Sequence, residues 1–215
     1  QRFEAQRALF PILARKAQAL RESNGDQSGL VYSLMGLASV AQARGDLDRA
    51  EGLVRQYLEL ARRASLRPME ALALYNLGEL NRSALRFEAA RGLYRQSLAL
   101  HQELKDALME AHCLAGEAEC LARDGRRGMA RSLLERSRTL STDETPYTLR
   151  AQAWLIRGEG RAEGAKLLFA KALQAARVQA PENVRELREA ARRPRGISDG
   201  GLAWSGRPRG ACRRR

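Results

Sequence analysis

The 215-residue chain is long enough for one well-buried domain, and its dominant alanine, leucine, arginine and glutamate, with few β-branched residues, point to helix nearly throughout. The formal net charge of +13 is uneven: residues 192–215 carry +7 of it, and the +6 left on the first 191 residues is interleaved along helices as solvated faces, which argues against a phosphate-binding stripe. Three cysteines cannot build a disulfide framework and no run of about 18 apolar residues offers a membrane span, so a reducing, cytoplasmic setting without a membrane partner is expected.

The opening RFEAQRALF repeats RFEAARGLY at 86–94, with six of nine residues identical. Because the later copy falls in the second helix of a hairpin, residues 1–22 are expected to be half a repeat and the chain a fragment beginning in mid-repeat, with Pro11 kinking that first helix. After the turn-rich SNGDQSG at 23–29, the pattern predicts a helix over about 29–44, a turn at Gly45-Asp46, and a second helix over 47–64 before Pro68. The next hairpin is expected at 69–82 and 85–104, and a third at 107–123 and 127–140, divided by Asp124-Gly125. Thr145-Pro146 supplies a cap and a first-turn proline for a helix to about Arg157, the glycines at 158 and 160 make a turn, and a helix follows to about Gln179. Residues 182–191, ENVRELREAA, read as a polar terminal helix covering the open side of the last repeat. Residues 192–215 have no period and read as a disordered arginine- and glycine-rich tail.

Overlaying the hairpins aligns Leu34, Leu74, Leu114 and Leu149, then Ala38, Gly78, Ala118 and Ala153, then Ala50, Ala90, Ala130 and Ala165, with spacings of 40, 40 and 35. Seven residues further on stand Tyr57, Ser97, Ser137 and Ala172. This triple of small positions resembles the tetratricopeptide repeat family, in which small residues let paired helices approach closely; HEAT arrays share the period but not the triple. The resemblance implies an all-α fold, a right-handed α-solenoid of antiparallel helix hairpins with a disordered basic C-terminal tail. Its repeats are expected at 29–64, 69–104, 107–140 and 146–179 of a domain covering 1–191. The long spacing and the segment LHQELKD are similar to the variant found in MalT-like bacterial regulators, where such arrays accompany ATPase, kinase or cyclase domains. Departures are the bulky Tyr57, Leu85 in place of a turn glycine, and Glu117 and Arg127 at usually apolar positions, from which the third repeat is expected to be the loosest.

Reactive constellations are not evident. His112 and Cys113 are adjacent on one helix and point about 100° apart, Cys113 and Cys120 lie roughly 10 Å apart along its axis, and no CxxC or HxxxH spacing is present. Ser97, His101 and Glu103 share a helix without the context that activates a nucleophile, and no glycine-rich phosphate loop exists. No cofactor, metal or catalytic activity is therefore expected. The leading expectation is a non-catalytic protein–protein interaction scaffold from a bacterial signalling or transcriptional regulatory protein, with a protein or peptide partner in a concave groove and a missing N-terminal output or ATPase domain. The alternatives are an effector-sensing regulatory domain of a MalT-like activator, kinase or cyclase, and RNA binding through the basic tail with stacking at Trp204.

Carried over from the resembling family residue by residue, the groove is lined by Tyr32 and Met35, then Leu72, Tyr75, Asn76 and Glu79, then His112 and Glu119, then Arg150, Trp154 and Arg157. Ser39, Arg82 and Tyr147 occupy further positions of the same register. Of the clamp with which some members hold a terminal carboxylate only Asn76 matches, so a chaperone-tail partner is not expected, and Tyr75, Asn76 and Trp154 are the expected anchors.

Overall fold

Capping side chains and one recurring turn set the helix boundaries. The computed structural model describes residues 26–141, 144–179 and 184–192. In order these form α1 (Gln27–Arg44), α2 (Leu47–Arg63), α3 (Arg67–Ser83), α4 (Phe87–Leu104), α5 (Ala107–Arg123), α6 (Arg127–Leu140), α7 (Pro146–Gly158), α8 (Ala162–Gln179) and α9 (Val184–Arg192). Asp26, Asp46 and Asp106 cap α1, α2 and α5, each accepting from the backbone N–H three residues on. Thr145 caps α7 in the same way, and Pro146 sits in its first turn. α3 begins ahead of the start expected after Pro68, because a proline in the first turn forfeits no helical hydrogen bond.

At Gly45, Ser65, Leu85, Lys105, Gly125 and Gly160 the backbone enters the left-handed region. In each case the N–H of that residue reaches the carbonyl three back, and the following N–H the carbonyl five back. That is the hydrogen-bond pattern of a Schellman cap. The first five stand 20 residues apart, so the 40-residue period is two helix-plus-turn units of equal length. Leu85 holds the conformation at φ 61°, and α4 starts at Phe87 because Leu85 and Arg86 are spent on the turn.

The helices pair as hairpins, α1 with α2, α3 with α4, α5 with α6 and α7 with α8, and each hairpin docks on the next; α5 also meets α3 and α7 directly. The first helices are the buried layer: α5 has 12 buried residues among its 17, whereas α6 has three among 14. The chain is thus an all-α solenoid, and no strand occurs among the described residues.

The aligned positions carry the packing. Leu34, Leu74, Leu114 and Leu149 are buried, as are Ala50, Ala90, Ala130 and Ala165. Ser97 Oγ donates to the Ala71 carbonyl at 2.8 Å and Ser137 Oγ to the Ala111 carbonyl at 2.9 Å, the same bond closing the second and the third hairpin from within. The bulk of Tyr57 is absorbed by full burial, its hydroxyl accepting from Asn76 Nδ2 at 2.6 Å. The Tyr94 ring fills the gap between Gly78 and Gly116, where an added Cβ would fall 2.8 and 2.5 Å from it. Glu117, at a usually apolar position, is buried but paired with Arg95 at 2.6 Å, so it leaves no unpaired charge inside the third repeat. The half repeat expected at 1–22, the kink at Pro11 and the tail beyond Arg192 lie outside the described residues.

Candidate partner-binding groove

The N-terminal halves of three first helices open onto one cleft of about 550 Å³. α3 supplies Leu72, Tyr75 and Asn76, α5 supplies Leu108, Met109 and His112, and Glu144, Thr145 and Tyr147 close it from the start of α7. A size of this order suits a side chain or short peptide turn held between apolar walls. The His112 ring lies 4.8 Å from Tyr147, and Tyr75 stands edge-on to Tyr147 at 5.9 Å. Asn76 is oriented by its bond to the Tyr57 hydroxyl.

Two polar atoms of this wall, Tyr75 Oη and His112 Nε2, are buried without a hydrogen-bond partner among the described residues. Leaving such a group unpaired costs about 1–3 kcal/mol. Burial pulls His112 down to about 4 and raises the Tyr75 phenol well above its ordinary value, so both are neutral at physiological pH. The cleft therefore presents uncharged hydrogen-bonding groups framed by aromatic faces.

One and two turns along α3 from Tyr75 come Glu79 and Arg82, the start of a buried ionic network. Arg82 binds Glu79 at 3.1 Å and Glu119 of α5 at 3.0 Å, and Arg150 of α7 binds Glu79 at 2.9 Å and Glu119 at 2.6 Å. Arg123 adds a contact to Glu119 at 3.3 Å, and the Tyr94 hydroxyl donates to Glu79 at 2.6 Å. Burial alone would push the Glu79 carboxyl up; Arg150 and Arg82, with the Tyr94 hydroxyl, outweigh it and hold the group at about 2. From α9, Glu186 completes the set, accepting from Arg82 Nη2 at 2.9 Å and from Ser83 Oγ at 3.1 Å.

Beneath α9, the Arg123 guanidinium lies 4.4 Å from the Trp154 ring and 4.7 Å from that of Phe87. Arg157 approaches the Trp154 ring to 5.2 Å and donates to the Ala190 carbonyl at 3.0 Å. These are cation–π geometries, and Trp154 is held by edge-on packing against Phe169 at 5.3 Å.

The residues assigned to the groove from sequence thus divide into groups. Leu72, Tyr75, Asn76 and His112 meet in the cleft. Glu79, Glu119 and Arg150 are buried in the ionic network, committed to partners within the chain. Trp154 and Arg157 lie together at the end near α9. On α1, Tyr32 is exposed and Met35 packs against the first core cluster, apart from the others. Sequence reasoning missed Arg123, Tyr94 and Glu186 as members of the network. One signal was available: Glu79 and Glu119 recur 40 residues apart at the same register of a buried helix.

The described cysteines are buried and free, and burial pushes the Cys113 thiol up to about 12, with its Sγ 3.4 Å from Ser97 Oγ. Among the described residues no three histidine, cysteine, aspartate or glutamate side chains are grouped to hold a metal, and no helix is long and apolar enough to cross a membrane.

Among solved structures, a crystal structure of MamA protein is similar, with 17% identity and a TM-score of 0.47 over 80% of this chain and 94% of that one. No curated protein matches the chain. Residues 27–103 match the model of the tetratricopeptide repeat family, the stretch that holds the first two hairpins with their capped 20-residue units and small contact positions.

Proposed function

We propose that the chain is a non-catalytic protein–protein interaction scaffold of a bacterial signalling or regulatory protein, and that it grips its partner in the cleft between α3, α5 and α7. The observation that carries this reading is the pair of buried, unpartnered polar atoms, Tyr75 Oη and His112 Nε2, in an aromatic wall. A partner that inserts an apolar side chain and offers hydrogen-bonding groups to both relieves the cost of leaving them orphaned, and aromatic anchors of this kind concentrate binding energy. Two serines and two cysteines of the second and third hairpins support the non-catalytic part, since Ser97 and Ser137 are spent on helix–helix bonds and the Cys113 and Cys120 thiols are held protonated by burial. Tyr75, Asn76, His112 and Leu72 are assigned to direct contact; Glu79, Glu119 and Arg150 position them by fixing the three helices relative to one another. Trp154 and Arg157 extend the surface toward α9, and Tyr32 and Met35 extend it along α1.

Capture of a partner followed by affinity measurement tests the assignment. Tyr75→Phe keeps the ring and removes only the hydroxyl, and should weaken binding about tenfold, as expected for a lost buried hydrogen bond. Unchanged affinity for Tyr75→Phe, Asn76→Ala and His112→Phe proteins that stay folded would move the site elsewhere. The cleft's size of about 550 Å³ also favours a second reading, a small effector held there as in a sensing domain; protection of the cleft by a small metabolite, with no protein partner present, would select it.

A further inference from the structure

α5 shows one side to the aromatic cleft and another to a groove between the second helices α4 and α6. α4 and α6 each pack on α5, with no comparable packing of one on the other, and the gap between them is a cavity of about 390 Å³. Glu117 and Leu121 of α5 form its floor, Arg95 and Leu98 of α4 one wall, and Met129, Leu133 and Arg136 of α6 the other. The three α6 residues fall at helical spacing, a stripe two turns or about 10 Å long. Met129 is 54% exposed at its mouth, an apolar side chain left to solvent beside an aliphatic slot.

Comparison with the preceding repeat shows how this groove departs from the register. One period earlier the matching positions hold Leu77, Ala89 and Gln96, and Leu77 is part of a closed core. Glu117, Met129 and Arg136 stand there instead, so the mouth is apolar and the rim is basic. Glu117 is answered from the rim by Arg95, whose Nε and Nη2 both bind one of its oxygens, at 2.8 and 2.6 Å, while the Arg95 side chain stays 57% exposed. Arg136 has Ser132, Leu133, Thr139 and Leu140 one turn away on its own helix, none of them acidic, and α6 as a whole carries four arginines against one glutamate. An aliphatic slot under a basic rim is complementary to apolar side chains flanked by carboxylates. The chain's own net charge of +13 disfavours a second copy as the occupant, and the described lining holds no aromatic ring on which a nucleic-acid base would stack.

We propose that the groove between α4 and α6 is a docking site for an acidic amphipathic helix of a partner protein, two turns of which lie along Met129–Arg136. Apolar side chains one turn apart enter the slot between Leu98, Met129 and Leu133, and a flanking glutamate or aspartate pairs with Arg136. Glu117 fixes Arg95 as the opposite rim, where it attracts a second carboxylate. The groove shares no lining residue with the aromatic cleft, so failure of either assignment leaves the other standing.

Peptides of about twelve residues displayed on phage, panned on the full chain and depleted on full-length Met129→Glu/Arg136→Glu protein, test this. Both substitutions alter exposed side chains, and thermal unfolding checks that the variant stays folded; Arg136→Gln replaces the charge reversal if it does not. The enriched peptides should carry leucine or phenylalanine one helical turn apart among aspartates and glutamates. As acetylated, amidated synthetic peptides they should bind the unmodified chain at least about tenfold more tightly than either single variant, as expected for a lost charge-assisted hydrogen bond. Their affinity should fall with added salt and should be unaffected by Tyr75→Phe. No enrichment, enriched peptides without acidic residues, equal binding to the variants, or loss of binding with Tyr75→Phe would each overturn the proposal, as would polyuridylate binding that the same variants abolish while no peptide binds.

Discussion

Tyr94 shows how little slack a single position has in this array. Its ring touches the bare backbones of Gly78 and Gly116 on helices of two successive hairpins, and its hydroxyl is fixed on Glu79, so the ring cannot withdraw from an added methyl without releasing that 2.6 Å bond. Gly116→Ala should therefore cost about 1–3 kcal/mol through overpacking. Gly92→Ala, where an added Cβ meets nothing within 4 Å on an exposed helix face, should instead gain about 0.5–1 kcal/mol from helix propensity. Urea unfolding of the two variants should give midpoints shifted in opposite directions, and a like-signed pair would refute the packing described for Tyr94. His112 supplies a second prediction at this scale. Burial lowers its folded value to about 4 while the unfolded chain titrates near 6.5, so between those pH values the unfolded state binds the extra proton and stability falls as pH is lowered. The loss should reach on the order of 3 kcal/mol and level off below about pH 4. Glu79, with its folded value near 2, adds a further loss only as pH falls below about 4.5. In His112→Phe the stability profile should flatten between pH 6.5 and 4, leaving the smaller dependence from His101, whose value burial also lowers.

At the level of the elements, the 20-residue unit is specified by its turn. The left-handed residue is glycine at 45, 125 and 160 but serine, leucine and lysine at 65, 85 and 105. A side chain in that region costs about 1–2 kcal/mol, partly offset because glycine loses more freedom on folding. Lys105→Gly, at an exposed site, should raise stability by about 0.5–1 kcal/mol, and Gly125→Ala should lower it by about 1 kcal/mol; denaturant midpoints check both. This explains what the sequence made legible. Gly45 and Asp46, or Thr145 and Pro146, announce a helix end and start within a few residues, and the small-residue register at 50, 90, 130 and 165 repeats, so helices and their pairing could be read locally. Leu85 hides its turn because nothing in leucine signals a left-handed backbone. The division of the groove could not be read either: register places Tyr75 and Glu79 on one face, but whether a side chain meets solvent or a buried arginine depends on contacts such as Arg82 with Glu186, fixed only when the array closes on itself.

At the scale of the whole array, the core of the described residues is divided into clusters. Apolar clusters follow one another along the array, one around Leu34 and Tyr57, one around Tyr75 and Tyr94, one around Leu121 and Leu134 and one around Leu149 and Phe169, joined through shared helices. A stack of this kind unfolds cooperatively only as far as its interfaces couple neighbouring units. The ionic network ties α3, α5, α7 and α9 together, and Arg150 is the residue that carries it from α7 to both Glu79 and Glu119. Arg150→Met keeps much of the buried volume but leaves two buried carboxylates to share Arg82 and Arg123, a loss expected to cost about 3–5 kcal/mol. Because that cost falls on the junction between the second and last hairpins, it should also loosen their coupling. Calorimetry of the unmodified chain should then show one transition, and Arg150→Met should show two, with hydrogen exchange assigning the earlier one to α7–α9. A variant that is destabilised as far but still unfolds in one step would mean that the apolar contacts of Trp154 and Tyr147, which bridge adjacent clusters, suffice to couple the array without the charges.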